Sequence, residues 1–513
     1  MNRLTGILLA IILMGGCSKK NYEQEFAVNK QVLQVKASQI AVPEGEVLSK
    51  EMLDDYVLTM LEREHDFRWE WADMKTLWSA VVHSDNSVAI GYKPTGVGDI
   101  ETIMHQIDLQ NGAWKATHDA LLKFVLDELN VDSKAAITER DVVIEDDKVL
   151  PIIIFRMTSK DMLTKLHNLE NVRYIEPLDY WPGTEAERST SGCSGSTYAL
   201  NTADYTTSTP NCLLPWNHAI HNIASAWNSK AGEGITVGII DAGISASQSL
   251  LNADFNNGDS NIGRTITTEY TFGNSAFTSC THGTSMSGLA VGPRNNTGAT
   301  SGVAYKSSLH FIRGCEDVVL DKSSEKTGVK NALVKMGQKP DVKIVSMSIG
   351  SPFYSSVIYD GVVYAHNQGK MLFAAAGTSF SFLTWWGVTY PAVHAQCVAV
   401  TGVKENNNTC DSCHDGSEVD FTIVMERNSN ASRNTLSLKQ SGNTPSYIGG
   451  SSAATATAAG IAAVVWSVNT GFTREQVYDY LLTTSQFYPN PNGATGYGNL
   501  NAGAAVAAAQ AAM

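Results

Sequence analysis

The chain has 513 residues, of which 43% are hydrophobic, and it carries a formal net charge of −14. This length favours about three domains, and the hydrophobic content is sufficient for sizeable cores. The negative charge, with no basic patch along the chain, argues against nucleic acid as a partner.

The first 16 residues predict a signal peptide. Arg3 precedes an apolar run over 7–14, and two glycines stand directly before Cys17. The run is too short to span a membrane stably, which is typical of a secretory signal. Small residues followed by a cysteine resemble a bacterial lipoprotein signal, which implies acylation of Cys17. We therefore expect a protein of the bacterial cell envelope, anchored in the membrane by lipid, with an ordinary secreted protein as the alternative.

The region before residue 214 predicts a tether, a folded part and a linker. Residues 17–44 are polar and mixed, which favours a tether. Apolar residues recur at helical spacing over 49–64 and 114–129, so 45–135 should be folded, although this region resembles no known family. From Val142 the pattern is strand (142–144), strand (149–157), helix (160–169) and strand (172–177), which predicts a small α+β domain. Residues 183–213 are rich in Ser, Thr, Gly and Asn and predict a linker.

Apolar, β-branched runs alternate with helical patterns in the remaining chain. The predicted strands cover 234–240, 342–349, 371–376 and 398–400. This alternation predicts an α/β fold, a parallel sheet with helices on both faces. Asp241 directly follows the first strand, and open α/β sheets place their sites at the carboxyl ends of strands.

Two helix starts carry further candidate residues. His282 opens a small-residue pattern, H-G-T-S-M-S-G, over 282–288. Over 449–466, two glycines and two serines lead into an Ala-rich, apolar helix pattern that contains Ser452. Glycines permit a sharp turn there, a serine can cap the helix, and the amides of a helix N-terminus suit an oxyanion. A capped core helix without catalytic function would explain that stretch alone equally well.

Ser452 supplies a nucleophile, His282 a base and Asp241 an orienting carboxylate. Their order and their flanking motifs resemble the subtilase family of serine proteases. The motifs are D-A-G at 241–243, H-G-T at 282–284 with Gly288, G-V-A at 302–304, G-S-S-A-A at 450–454 and Y-G-N-L-N-A at 497–502. The resemblance runs from about 214 to 506 and implies a subtilisin-like catalytic domain over 214–513.

The resemblance implies an exported serine endopeptidase that acts on proteins or peptides through an acyl-enzyme. Ser452 would be the nucleophile, His282 the general base and then acid, and Asp241 the orienting carboxylate. The chemistry would need no cofactor and no catalytic metal; structural calcium is compatible with the family, but the sequence identifies no ligands. The strand of the form V-R-Y-I-E-P over 172–177 resembles the back half of a subtilase propeptide, so residues 142–182 would be an inhibitory partner of the catalytic domain.

The resemblance also implies the substrate-binding and oxyanion residues. The substrate-binding segments are Ser348, Ile349, Gly350, Ala375, Ala376 and Gly377. The oxyanion would be held by the Ser452 N–H and by residue 378, where the family has Asn and this chain has Thr378. Loss of that donor costs about 10²–10³ in turnover, a value measured in a subtilisin.

Two alternatives to an ordinary subtilase stay open, and a third is excluded. Thr378 leaves open a slow protease with another oxyanion donor, or a catalytically silent binding module on the same scaffold. An esterase of the α/β-hydrolase type is excluded, because the second Gly of G-x-S-x-G is missing and no histidine follows Ser452.

Seven cysteines remain after Cys17, and export would place them in an oxidising compartment. An odd number leaves at least one thiol free, and Cys397 lies in an apolar run that predicts a buried thiol. Proximity in sequence predicts three disulfides: Cys193–Cys212, Cys280–Cys315 and Cys410–Cys413. The last pair forms a C-x-x-C motif that could also indicate redox chemistry or zinc, but a loop staple is favoured because no second such motif occurs. A Cys193–Cys212 bond would hold both fragments together after a processing cut in the linker.

Overall fold

The structure, a computed structural model, describes most of the chain: residues 32–131, 133, 135–183, 193, 196, 198–378 and 387–513. The predicted signal peptide and the acylation site Cys17 lie outside the described residues. Within these ranges no helix is both long enough and apolar enough to cross a membrane. The lipid anchor therefore stays a prediction.

The N-terminal region folds around a four-stranded antiparallel sheet. Its helices and strands are α1 Lys50–Glu64, α2 Met74–Val82, β1 Ser87–Tyr92, α3 Gly112–Asn130, α4 Glu139–Val142, β2 Val143–Asp146, β3 Ile152–Arg156, α5 Lys160–His167 and β4 Val172–Pro177. The predicted helices over 49–64, 114–129 and 160–169 correspond to α1, α3 and α5. The sheet order is β2-β3-β1-β4, so the segment over 142–182 shares its sheet with a strand from the region that resembled no known family.

A hairpin follows in the second half of the predicted linker. Strands β5 (Tyr205–Ser208) and β6 (Cys212–Pro215) pair antiparallel. The linker predicted over 183–213 is therefore wrong in its second half. Its Ser- and Thr-rich sequence shows no regular spacing of apolar residues, because every residue of β5 is at least partly exposed.

The C-terminal domain, predicted above as catalytic, contains a nine-stranded sheet between two layers of helices. Its remaining elements are α6 Asn217–Ile220, α7 Ile223–Trp227, β7 Thr236–Asp241, β8 Ile266–Tyr270, α8 His282–Val291, β9 Ser308–Arg313, α9 Ser323–Gly337, β10 Val342–Met347, α10 Ser356–Asn367, β11 Met371–Ala375, β12 Cys397–Lys404, β13 Phe421–Arg427, β14 Asn430–Ser437, β15 Ser446–Ile448, α11 Gly450–Trp466, α12 Arg474–Thr483 and α13 Ala502–Ala511. The strand order is β15-β14-β13-β12-β11-β10-β7-β9-β8. The sheet is parallel from β8 to β13, and β14 and β15 are antiparallel. The predicted α/β fold is confirmed.

Two apolar cores lie on opposite faces of this sheet. Helices α8 and α11 belong to one, and α9 and α10 belong to the other. Small residues let α11 approach α8 closely: a Cβ on Gly460 would lie 2.8 Å from the Val303 Cβ and 3.1 Å from the Ala290 carbonyl oxygen. Helix α11 is buried along nearly its whole length, which explains its lack of charged residues. Its N-cap is Gly449 without a side-chain cap, so the predicted serine cap is wrong.

The sheet of the N-terminal region packs on α9 and α10. Apolar residues from both sides form one buried cluster, which includes Leu150, Ile152, Ile154, Tyr174 and Leu178 from the N-terminal region and Val334, Val357, Val363 and Tyr364 from the C-terminal domain. Polar contacts border this cluster. Arg173 pairs with Asp360 through two hydrogen bonds of 2.9 and 2.7 Å, and the fully buried Lys330 contacts Glu145 at 2.8 Å and Asp147.

The disulfides differ from the prediction at two of three pairs. Cys193 bonds to Cys280, while Cys212 and Cys315 are buried free thiols. Cys193 and Cys212 cannot meet, because they lie at opposite ends of α8. Cys193 is bonded to Cys280, which precedes the start of α8. Leu213, next to Cys212, donates its N–H to the carbonyl oxygen of Ala299, beyond the end of α8. Helix α8 separates these points by about 15 Å. The Cys410–Cys413 bond and the buried thiol of Cys397 agree with the prediction.

Candidate active site

A buried, hydrogen-bonded pair of side chains joins Asp241 to His282 at the carboxyl edge of the sheet. Asp241 ends β7, and His282 is the first residue of α8. The Nδ1 atom of His282 lies 2.9 Å from both carboxylate oxygens of Asp241, and both side chains are buried. A carboxylate at Nδ1 holds that proton and leaves Nε2 as the basic nitrogen. This close docking requires glycine at 283, since a Cβ there would lie 2.3 Å from the Gly243 carbonyl oxygen.

Ser452 lies in the first turn of α11, beside Ser348 at the end of β10. Its hydroxyl donates to the Ser348 carbonyl oxygen at 3.4 Å, and the Ser348 hydroxyl donates to the Ser452 carbonyl oxygen at 2.9 Å. Strand β10 ends just before Ser348 and pairs parallel with β7, with Met347 opposite Ile240, so Ser348 and Asp241 lie at the ends of adjacent strands. Among the described residues the Ser452 hydroxyl bonds to Ser348 and not to His282.

Thr378 faces the start of α11 at Ser451, the residue before Ser452. Its hydroxyl oxygen lies 3.3 Å from the Ser451 hydroxyl oxygen, which also accepts the Gly377 N–H at 3.2 Å. The first four N–H groups of a helix have no partner within the helix, so the Ser452 N–H is available to a ligand. Sequence reasoning missed Ser451, although its place in the motif next to Ser452 could have indicated it.

Two of the predicted substrate-binding segments, 348–350 and 375–377, approach the same side chain, Thr389, and the space between Gly350 and Gly377 is called the slot. Gly350 exchanges backbone hydrogen bonds with Val318 and Leu320, both 2.9 Å long, so the 318–320 segment extends this edge. Thr389 closes the slot between Gly350 and Gly377: its hydroxyl oxygen lies 3.0 Å from the position of a Cβ on Gly350 and 3.1 Å from that of a Cβ on Gly377. Sequence reasoning also missed Thr389, because it is distant from both segments in sequence.

Acidic residues shape the loop that carries the 318–320 segment. Glu325 accepts the N–H groups of Glu316 and Asp317 at 3.0 and 3.2 Å. Burial, with the neighbouring carboxyl of Asp321, raises the pKa of Glu325 to about 7. Burial also raises the pKa of Asp317, opposed by the Val318 N–H and by the charge of His282. The loop therefore places a second carboxyl group within electrostatic range of the histidine.

The end of the N-terminal region reaches the same edge. Trp181 packs edge-on against Phe353 with ring centroids 5.0 Å apart, and it shares an apolar cluster with Val319. Asp54 in α1 holds this segment by accepting the Gly183 N–H at 3.0 Å. The chain from β4 to Gly183 therefore lies beside the segment that pairs with Gly350. The following residues, 184–192, lie outside the described residues.

No group of three or more His, Cys, Asp or Glu side chains that could hold a metal ion occurs in the described part of the chain. Structural calcium stays a prediction.

Comparison with known proteins matches this region of the chain. A sequence model of the subtilase family matches residues 232–498, just over half of the chain. Thermitase of Thermoactinomyces vulgaris is 28% identical over 197 residues, which are 38% of this chain and 64% of that protein. Subtilisin E of Bacillus subtilis is 29% identical over 261 residues, 50% of this chain and 62% of that protein. The chain thus spans somewhat less than two thirds of the length of these relatives.

Among solved structures, a protease of Pseudoalteromonas arctica PAMC 21717 aligns with a TM-score of 0.45 and 21% identity over 56% of this chain and 94% of its own. MycP1 of Mycobacterium smegmatis aligns with a TM-score of 0.47 and 16% identity over 61% and 88%. The assignment rests on the sequence match over residues 232–498, which contains Asp241, His282 and Ser452: the chain belongs to the subtilase family.

Proposed function

We propose that this protein is an exported serine endopeptidase that cleaves peptide bonds with Asp241, His282 and Ser452. One observation carries the proposal: the buried, hydrogen-bonded Asp241–His282 pair lies at the edge of the sheet where the neighbouring strand meets the helix start bearing Ser452. Family membership supports a serine-type peptidase.

The mechanism follows from the chemistry of these groups. The Ser452 oxygen attacks the substrate carbonyl while His282 Nε2 takes its proton, and Asp241 stabilises the resulting imidazolium. The proton then passes to the leaving amine as the peptide C–N bond breaks, which gives an acyl-enzyme that water hydrolyses in the same way. The 3.4 Å bond from Ser452 to Ser348 must break as the hydroxyl turns toward His282. Catalytic hydrogen bonds are often loose without substrate and tighten when it binds.

Oxyanion stabilisation would come from the Ser452 N–H and from Thr378. The Thr378 hydroxyl contacts Ser451 in the present arrangement, so it must turn to donate to the oxyanion. The Thr378 hydroxyl is therefore a weaker donor than the Asn side-chain amide of the family, which predicts a slow enzyme rather than an inactive one.

The N-terminal region would act as an intramolecular inhibitor. Trp181 packs beside Val319, on the segment that pairs with Gly350, where an extended substrate would lie. Because β1 completes the sheet, the inhibitory unit should extend over 32–183 rather than 142–182 alone. Adding this unit to the processed enzyme should inhibit it, and absence of inhibition at micromolar excess would contradict this role.

The decisive experiment compares casein hydrolysis by the processed protein with that of Ser452→Ala. The matched control is Ser467→Ala, a buried serine at the other end of the same helix. A fluorophosphonate probe should label the wild type and the control at Ser452, located by mass spectrometry, and should not label Ser452→Ala. Retained casein hydrolysis by Ser452→Ala would refute the proposal. Peptide binding with neither hydrolysis nor labelling would instead support the silent binding module.

Cys17 lies outside the described residues, so attachment to the cell envelope through a lipid on Cys17 belongs to the proposal. Cys17→Ser should move the protein from the membrane fraction to the soluble fraction of the producing bacterium. A protein that is soluble before the substitution would contradict the lipid anchor and favour the secreted alternative.

A further inference from the structure

The Cys410–Cys413 disulfide belongs to a segment whose function the proposed mechanism does not explain. The bond closes a short ring between β12 and β13. Cys410 is only 3% exposed, and its N–H donates to the Gly402 carbonyl oxygen of β12 at 3.1 Å. Cys413 is half-buried. The disulfide side of the ring is therefore packed against the sheet, while Asp411 and Ser412 face solvent.

The residues that close the ring pair directly with the loop carrying Thr378. Cys413 and Thr378 form an antiparallel bridge, and the His414 N–H donates to the Gly377 carbonyl oxygen at 3.0 Å. The His414 carbonyl oxygen in turn accepts the Thr401 hydroxyl of β12 at 2.5 Å. The backbone of the Thr378 loop is thus held by the strand that leaves the ring.

The ring also touches the helix that carries Ser452. A Cβ on Gly402 would lie 2.9 Å from the Cys413 sulfur and 3.3 Å from the carbonyl oxygen of Gly450, the first residue of α11. A Cβ on Gly450 would in turn lie 3.3 Å from the Thr378 hydroxyl oxygen. The sulfur, the helix start and Thr378 therefore form one packed group.

We propose that the Cys410–Cys413 disulfide positions both oxyanion donors, Thr378 and the first turn of α11, so that proteolysis depends on the oxidised form. This rests on the proposed function. A dithiol such as dithiothreitol would reverse the effect of the bond: it gives up two electrons and two protons, leaves two cysteine thiols and becomes a cyclic disulfide. Without the ring, the segment that contacts both donors loses its closure, and catalysis by aligned donors is sensitive to displacements of about 1 Å.

The first test compares Cys410→Ser/Cys413→Ser with the wild type and with Cys397→Ala, a buried free thiol at the start of β12. We expect kcat to fall about tenfold or more in the double variant, less than the roughly 10²–10³ for outright loss of an oxyanion donor because the donors are displaced and not removed, with KM changed less than about threefold. Binding of a peptide aldehyde, which forms a tetrahedral adduct, should weaken in parallel with kcat, whereas binding of a cleaved peptide product should not. An unchanged kcat, or an equal loss of aldehyde and product binding, would overturn the positioning role.

A second measurement is independent of activity. Hydrogen exchange should accelerate in peptides covering 376–378 and 450–454 of the double variant and stay unchanged over α7, which lies elsewhere in the fold. Unchanged exchange at both donor segments would also overturn the inference. A wild type that neither cleaves peptides nor reacts with the fluorophosphonate would refute the proposed function, while the exchange data would still decide whether the ring holds these segments.

Discussion

Replacing Arg173 with alanine should release the N-terminal region from the catalytic domain. The Asp360 carboxylate is 1% exposed and accepts two hydrogen bonds from Arg173 and one of 3.0 Å from the Tyr174 hydroxyl. Removing one partner of a buried pair costs about 3–5 kcal/mol, because the other charge stays buried. Arg173 keeps 15% exposure and the tyrosine still donates, so we take the lower limit, about 3 kcal/mol, which corresponds to roughly 10²-fold weaker association.

The assay is the inhibition constant of separately produced 32–183 against the processed catalytic domain, with folding verified by circular dichroism. The control is Lys123→Ala, whose ion pair with Asp127 is exposed on both sides and should change affinity by less than about twofold. Combining Arg173→Ala with Asp360→Ala in the protease should cost less than the sum of the two single changes. Additive effects, or a wild-type inhibition constant for Arg173→Ala, would refute the argument that this pair stabilises the complex.

Three further predictions concern the catalytic domain. Thr378→Asn should raise turnover by up to about 10²-fold; an unchanged rate in steady-state assays would show that another group stabilises the oxyanion. Thr389→Gly should open the slot and raise kcat/KM for peptides with Phe before the cleaved bond by about tenfold or more relative to those with Ala; a wild type that already prefers Phe would contradict a slot closed by this side chain. Burial lowers the pKa of His221 to about 4 from its usual 6.5, and both ring nitrogens have backbone partners, the Leu500 carbonyl oxygen at 2.7 Å and the Val424 N–H at 2.9 Å. Between pH 6.5 and 4 the unfolded chain therefore binds a proton at His221 that the folded chain does not, so the free energy of unfolding falls as the pH drops through this range. His221→Gln should make the free energy of unfolding less dependent on pH, measured by urea unfolding from pH 6.5 to 4.

The sequence predicts the candidate catalytic residues because their requirements are local. Asp241 must end a buried strand, and His282 must be followed by glycine for α8 to approach β7. Each requirement leaves a short motif at a fixed place, and the parallel topology then brings the motifs to one edge. The geometry of the Asp241–His282 pair could therefore be expected before the fold was described.

The features that sequence reasoning missed or misjudged depend on contacts between distant parts of the chain. Cys193 pairs with Cys280 across a sequence separation of 87, and proximity in sequence favoured nearer partners. Strand β1 is buried throughout, so it lacks the alternating polar face that marks a half-buried strand in sequence. The slot residue Thr389 is defined only by its position between Gly350 and Gly377.

The interface on α9 and α10 has a consequence for colloidal behaviour. If the two parts separated after a processing cut, the catalytic domain would present to water the apolar surface of Val334, Val357, Val363 and Tyr364, which is now covered. A contiguous apolar patch of this kind promotes self-association. We therefore expect the cleaved N-terminal region to remain bound as a solubilising cover, and the free domain to self-associate increasingly with concentration once that cover has been degraded.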